Sequence, residues 1–105
     1  MNSPNQILIY GRLGKEPELK YTPKQTPVCH LAVAEDVEGQ EKPNWHKVIV
    51  WGKQAETCKV MLQKGGAVFV RGRVNEKEFI NEAGEIKRYR EVSADKVGYS
   101  MEFKE

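Results

Sequence analysis

Cysteine is scarce in this chain. Its 105 residues hold two, Cys29 and Cys58. They form no Cys-x-x-Cys pair, and neither His30 nor His46 stands at ligand spacing from them. A structural metal is therefore not expected, and buried, reduced thiols in a cytosolic protein are. Long apolar runs are also missing. None approaches the roughly 18 residues of a membrane span, so no membrane association is expected. The N-terminus Met1-Asn2-Ser3-Pro4-Asn5 has no basic segment followed by an apolar one, and no secretory signal is read there. There is no internal repeat and no low-complexity tract.

Catalytic signatures are missing too. No Walker-type Gly-Lys-Ser/Thr loop occurs; Lys64-Gly65-Gly66 reads as a helix stop. No Ser/His/Asp or Cys/His set stands out in local context, and no carboxylate spacing suggests a nuclease metal site. Glu16 and Glu18 flank Pro17 in what reads as a surface loop of solvated charges. An enzyme is not expected, nor is a cofactor.

What the chain does have is the balance of a globular domain: 39% hydrophobic and 30% charged residues. That length and composition predict one domain over 1–105 with an adequate core. The net charge of +2 is small, but its distribution is uneven. Residues 43–73 carry Lys47, Lys53, Lys59, Lys64, Arg71 and Arg73 against the single acid Glu56. Residues 35–41 carry Glu35, Asp36, Glu38 and Glu41 and no base. A basic middle beside an acidic loop suits a surface for a polyanion, although such a cluster alone also fits a solvated face.

The most informative stretch is Asn44–Lys53. It reads as a strand, on which successive side chains alternate between faces. Trp45, Lys47, Ile49 and Trp51 share one face; His46, Val48 and Val50 share the other, which is core. Indoles offer π-faces on which any base can stack, and a lysine between them can meet a phosphate. The competing reading makes both tryptophans core residues of a two-sided sheet, and this strand alone does not choose between them.

Around it the pattern is mostly strands. Gln6–Arg12 is a first strand ended by Gly11 and Gly14. Pro17, Pro23 and Pro27 punctuate the next segment, so Leu19-Lys20-Tyr21 is at most a short extended piece. Val28–Ala34 alternates as a second strand, and 45–51 is a third. Lys53–Lys64 places Ala55, Cys58 and Leu62 on one helical face, with Gly65-Gly66 as its stop. Ala67–Val74 is a fourth strand with Val68, Val70 and Val74 inward and Phe69, Arg71 and Arg73 outward. The polar run 75–91, turning at 81–85, reads as a protruding hairpin. Val92–Val97 closes the sheet. This order predicts an all-β OB-fold: a five-stranded barrel with one α-helix between its third and fourth strands and a protruding β-hairpin. An SH3-like barrel or another small β-barrel competes on pattern alone.

Four motifs in order narrow the choice. Ile9–Thr22 carries a strand, Gly11-x-Leu13 and Glu16-Pro17-Glu18-Leu19-Lys20-Tyr21. Trp45-His46-Lys47-Val48 runs on to Gly52-Lys53-Gln54-Ala55-Glu56. Leu62-Gln63-Lys64-Gly65-Gly66 leads into Val68-Phe69-Val70-Arg71-Gly72. Gly84–Val92 carries Arg88-Tyr89 and Glu91-Val92. Over about residues 5–98 the chain resembles the bacterial single-stranded-DNA-binding protein family. The resemblance implies an OB-fold that assembles, as a homotetramer or a dimer, and coats single-stranded DNA in replication, repair and recombination. It implies a cytoplasmic protein, nucleoid-associated or encoded by a phage or plasmid.

Carried over residue by residue, the resemblance implies base stacking on Trp45, Trp51 and Phe79, with Tyr21 an aromatic beside the path. It implies phosphate contacts from Lys20, Lys47, Lys53 and Lys64. Their charge adds Arg71 and Arg73 as candidates, and Lys77 joins them because strand alternation sets it beside Phe79. His46 matches a histidine at a subunit contact, and Ile7 and Ile9 lie on the apolar first strand expected to pair with a second copy.

There are departures. Asn75-Glu76-Lys77-Glu78 replaces the basic cluster that opens the family's hairpin, and alternation sets Lys77 and Phe79 toward DNA with the acids away or toward a neighbouring subunit. The acidic loop 35–41 is short and lacks an aromatic often found there. The chain continues past about residue 98 only to Ser100–Glu105, a short end at 99–105 without an acidic tail, so tail-mediated protein recruitment is not expected. The alternative function is a primosomal replication-restart type of OB protein acting mainly as a protein-interaction module.

Overall fold

Alternation of apolar and polar residues builds one curved sheet in the computed structural model, which describes residues 5–99. The short C-terminal end read at 99–105 lies, apart from Tyr99, outside the described residues. The elements are β1 (Gln6–Leu13), β2 (Glu18–Tyr21), β3 (Pro27–Glu35), β4 (Asn44–Trp51), α1 (Lys53–Met61), β5 (Ala67–Ile80) and β6 (Ile86–Tyr99). Their order across the sheet is β1-β5-β6-β4-β3-β2, and β1 also pairs with β3. The second pairing closes a ring of strands: Arg12 and Leu13 meet Ala34 and Val33. All pairings are antiparallel except β4 with β6, where Val48 and Ile49 lie beside Val92 and Ser93. This is the OB-fold arrangement.

Two expectations change in detail. Residues 18–21 are a true strand, because each residue from Glu18 to Tyr21 finds a partner on β3. The helix therefore falls between β4 and β5 in chain order. It also stops at Met61, short of the glycines. Leu62 is already extended, which lets its side chain reach the core. The following turn is then used for pairing: Gly65 N–H donates to the Leu13 carbonyl and Leu13 N–H to that of Gly66.

The core fills the ring. Cys29, Leu31 and Val33 of β3 meet Val48 and Val50 of β4, Val68 and Val70 of β5, Ala55 and Cys58 from the helix, and Leu62 just after it. Burying a valine fully contributes about 1.5–3 kcal/mol. The helix is also fixed by one polar side chain. Gln54 donates to the Asp95 carbonyl and accepts from Val97 N–H. Those groups lie at a bulge in the β5–β6 ladder, between Arg71 and Gly72. At Gly72 any Cβ would collide with the Ser93 carbonyl, so only glycine lets the strands approach there.

The β5–β6 ladder does not end with the ring. It runs on through Ile80↔Ile86 as the hairpin arm. Asn81 closes the tip: its Oδ1 accepts from the N–H groups of Ala83 and Glu85 at 3.0 and 2.9 Å.

Cys29 and Cys58 are both free and buried, and burial raises both thiol pKa values, that of Cys58 to about 11 from 9.0. The folded state thus holds the Cys58 proton more tightly than the unfolded chain does. Its contribution to stability is complete below pH 9.0 and is lost as pH climbs toward 11, at about 1.4 kcal/mol per pH unit. Chemical unfolding across that window should show the wild type losing more stability than Cys58→Ala. At pH 8 both thiols should resist a disulfide reagent until denaturant is added.

Candidate nucleic-acid interface

Strand alternation decides which side chains leave the core. On β4 the inward set is Val48 and Val50; Trp45, Lys47 and Trp51 point out. Trp45 is 60% exposed and Trp51 52%, so the reading of both as core residues fails. Ile49 shares their face yet is 4% exposed, so the stripe is interrupted by a buried side chain. The register extends the face across the sheet. Trp51 lies opposite Val28, which lies opposite Lys20; Lys47 lies opposite Ala32, and Trp45 opposite Ala34.

The arm carries the same face outward. Val92 is inward, so Glu91, Tyr89 and Lys87 fall on the outward side, with Asn75, Lys77 and Phe79 as their partners on β5. Phe79 meets Tyr89 edge to face, with ring centroids 5.8 Å apart. The Lys47 Nζ sits over the Tyr89 ring at 5.1 Å, within the range of a cation–π contact. Glu76 and Glu78 face the other way, opposite Arg90 and Arg88. Glu78 is bound to Arg88 at 3.0 Å.

A cleft of about 560 Å³ lies at the centre of this surface, lined by Lys15, Lys20, His30, Trp45, Lys47, Tyr89 and Arg90 among others. A second, of about 450 Å³, opens at the mouth of the ring and brings together Ile7, His46, Val74, Arg90 and Val92. His46 Nε2 lies 3.0 Å from a carboxylate oxygen of Glu35. The Trp45 indole rests on Gly14, where a Cβ would collide with its six-membered ring.

The cations of the surface are not idle. Lys20 is bound to Glu18 at 2.9 Å, and that hydrogen bond holds the Glu18 carboxyl below its ordinary pKa. Lys47 is 3.8 Å from Glu91.

Sequence reading placed several residues elsewhere. Tyr21 lies on the other side of β2 from Lys20, and its hydroxyl donates to Glu56 of α1 at 2.8 Å, which raises its pKa. It therefore belongs to the helix side, because alternation turns it away from Trp51. Ile9 is 1% exposed, a core residue that no second copy can touch. On β1 the exposed large hydrophobic side chains are Leu8 and Tyr10. Arg71 and Arg73 lie on the part of β5 paired with β1, opposite Leu8 and Gln6, and neither lines the cleft of Trp45 and Lys47. Arg71 is instead held by Asp95 at 3.0–3.1 Å. Lys53 begins α1, and the backbone N–H of Lys64 donates to Glu16; neither lines the cleft. Tyr89, Lys15 and Arg90 were missed. Period-2 counting back from Val92 finds Tyr89, but the fold alone brings it to Lys47.

Among the described residues no helix is long and apolar enough to cross a membrane, and no group of three or more His, Cys, Asp or Glu side chains is placed to hold a metal ion. Comparison with known proteins gives one family: the model described as the single-strand binding protein family matches residues 4–100. Single-stranded DNA-binding proteins from two Neisseria meningitidis strains, of serogroups A and B, are each 35% identical over 89 residues, covering 78% of this chain and 51% of their own length. The chain thus spans about half the length of these relatives. Single-stranded DNA-binding protein 2 of Clostridium acetobutylicum is 35% identical over 100 residues, covering 90% of this chain and 75% of its own.

The seat of Trp45 on Gly14 can be read optically. In a Trp51→Phe background only Trp45 emits. Gly14→Ala should displace the indole and move its emission to longer wavelength at little cost in stability, because the exposed ring can swing away. An unchanged spectrum would show that the ring does not depend on the glycine.

Proposed function

Because this chain belongs to the single-strand binding protein family, we propose that it binds single-stranded DNA without reading its sequence and without catalysing a reaction. The observation that carries this is the outward run of Trp45, Lys47, Tyr89 and Phe79, continuous from the ring onto the arm, with Lys20 and Lys77 beside it. Exposed rings stack on any base, and interspersed ammonium groups meet phosphates. Nothing in that arrangement presents the fixed donor and acceptor pattern that base reading needs. Trp51 extends the stacking surface along β4, and the protein serves in DNA replication, repair or recombination in a bacterial cytoplasm. The replication-restart alternative, a protein-docking module, is not favoured by the family assignment.

Two surfaces support self-assembly. Residues 6–11 of β1 have a ladder partner on one edge only among the described residues. A second copy of β1 can pair with the other edge and would cover the nearby mouth holding Ile7 and His46. The exposed Leu8, Tyr10 and Phe69 form a second apolar patch, which suits a dimer of dimers.

Titration with poly(dT) should quench tryptophan emission strongly. Trp45→Ala, Trp51→Ala and Tyr89→Leu should each weaken binding by about 1–3 kcal/mol, whereas Tyr21→Phe should leave it unchanged. Full affinity in the folded Trp45→Ala and Trp51→Ala variants would defeat the stacking mechanism. By sedimentation at micromolar concentration the wild type should be at least dimeric, and Leu8→Lys with Tyr10→Lys should lower its mass. A monomeric wild type would remove the assembly.

A further inference from the structure

Two cations of the stacking face are already paired in the free protein. On β2 the Lys20 Nζ is 2.9 Å from Glu18 Oε1. On β4 the Lys47 Nζ is 3.8 Å from Glu91 Oε2 while lying over the Tyr89 ring. Both acids stand on the outward face: Glu18 lies opposite His30, two positions from Lys20, and Glu91 lies opposite Asn75, two positions from Tyr89. Glu91 is mostly covered, its side chain 16% exposed, so its charge is poorly screened by solvent. A phosphate cannot meet either lysine without displacing or sharing these carboxylates.

Resting on the single-strand binding proposed above, we infer that Glu18 and Glu91 are internal competitors for DNA phosphate and set the salt response of binding. A lysine surrounded by counterions releases anions, and a bound strand releases its condensed cations, so each contact steepens the salt dependence. A lysine held by a carboxylate behaves differently. When phosphate takes it, the freed carboxylate recruits a cation from solution. Uptake then offsets release, and the contact adds little net ion release. The surface binds mainly through its rings, with a salt slope shallower than its count of lysines implies. The two acids also keep Lys20 and Lys47 from gathering unrelated polyanions when no unstacked base is present to add stacking energy.

The arm supplies an internal control. Glu78 is paired with Arg88 at 3.0 Å on the face turned away from Phe79 and Tyr89. Glu18→Gln, Glu91→Gln and Glu78→Gln each remove one negative charge from a carboxylate paired to a base. Only the first two free a cation on the stacking face.

The experiment measures poly(dT) affinity of the full chain by tryptophan quenching over a range of NaCl concentrations. Glu18→Gln and Glu91→Gln should each tighten binding about two- to fivefold at low salt, the strength of one partly exposed ion pair. Each should steepen the slope of log K against log salt by up to about 0.7, one further contact to a single strand. Glu78→Gln should keep the wild-type slope. Wild-type slopes in both outward variants would overturn the inference, as would an equal change in Glu78→Gln, which would mark a long-range field in place of competition. If Glu91→Gln unfolds, seen in its thermal transition, Glu18→Gln alone decides. Absence of wild-type binding would remove the functional reading itself, whereas binding with unchanged slopes would remove only the competitors.

Discussion

The long pairing of β5 with β6 is the constraint on which the rest depends. Fourteen residues on each strand run from the closed ring into the free arm. Within the ring the ladder puts Val68, Val70 and Val92 into the core. Beyond it the same alternation has no core to face, but it keeps its phase. The sorting of side chains made by burial in the ring is thus exported to the arm. Lys77 and Phe79 join the face of Tyr89, and Glu76 and Glu78 are turned away. A one-residue slip would reverse every one of them. The bulge between Arg71 and Gly72 lies on the ring side of the arm, locked by Gln54, so the register beyond it is fixed.

Magnitudes rank the contributions to the proposed binding on this surface. A base on an exposed ring is worth about 1–3 kcal/mol. An exposed ion pair is worth about 0–1 kcal/mol, and here two of the useful lysines begin already paired. Under the proposed function, aromatic stacking therefore decides affinity, and charge adjusts it. Replacement of bases by Glu76 and Glu78 in the hairpin costs less than composition suggests, since neither acid shares the face of the rings. Arg71, a phosphate candidate by its charge, is instead held by Asp95 at the bulge.

Much of this was legible in the sequence. Alternation in 28–34 and 45–51 gave the core of β3 and β4, helical spacing gave Ala55, Cys58 and Leu62, and the polar run 75–91 gave the arm. Trp45 and Lys47 could be read as outward because they alternate with Val48 and Val50 on β4, and Lys77 was placed beside Phe79 by the same period. The failures share a cause. Tyr21 and Ile9 were assigned by residue type and position in a motif, and the side of the strand they occupy sends one to Glu56 and the other to the core. Arg71 and Arg73 were rightly read as outward, but a closed ring has outward directions all around it.

The amino-acid sequence by itself determined which side chains point in and which point out, because the strand period is local and each residue carries its own hydrophobicity. It determined the supply of rings and ammonium groups. Only the tertiary structure decided which outward residues meet. Closure of β1 onto β3 and the parallel approach of β4 to β6 bring Lys47 to Tyr89 and Glu91, more than forty positions away in the chain. No local pattern encodes that meeting, since it depends on the curvature of the whole ring.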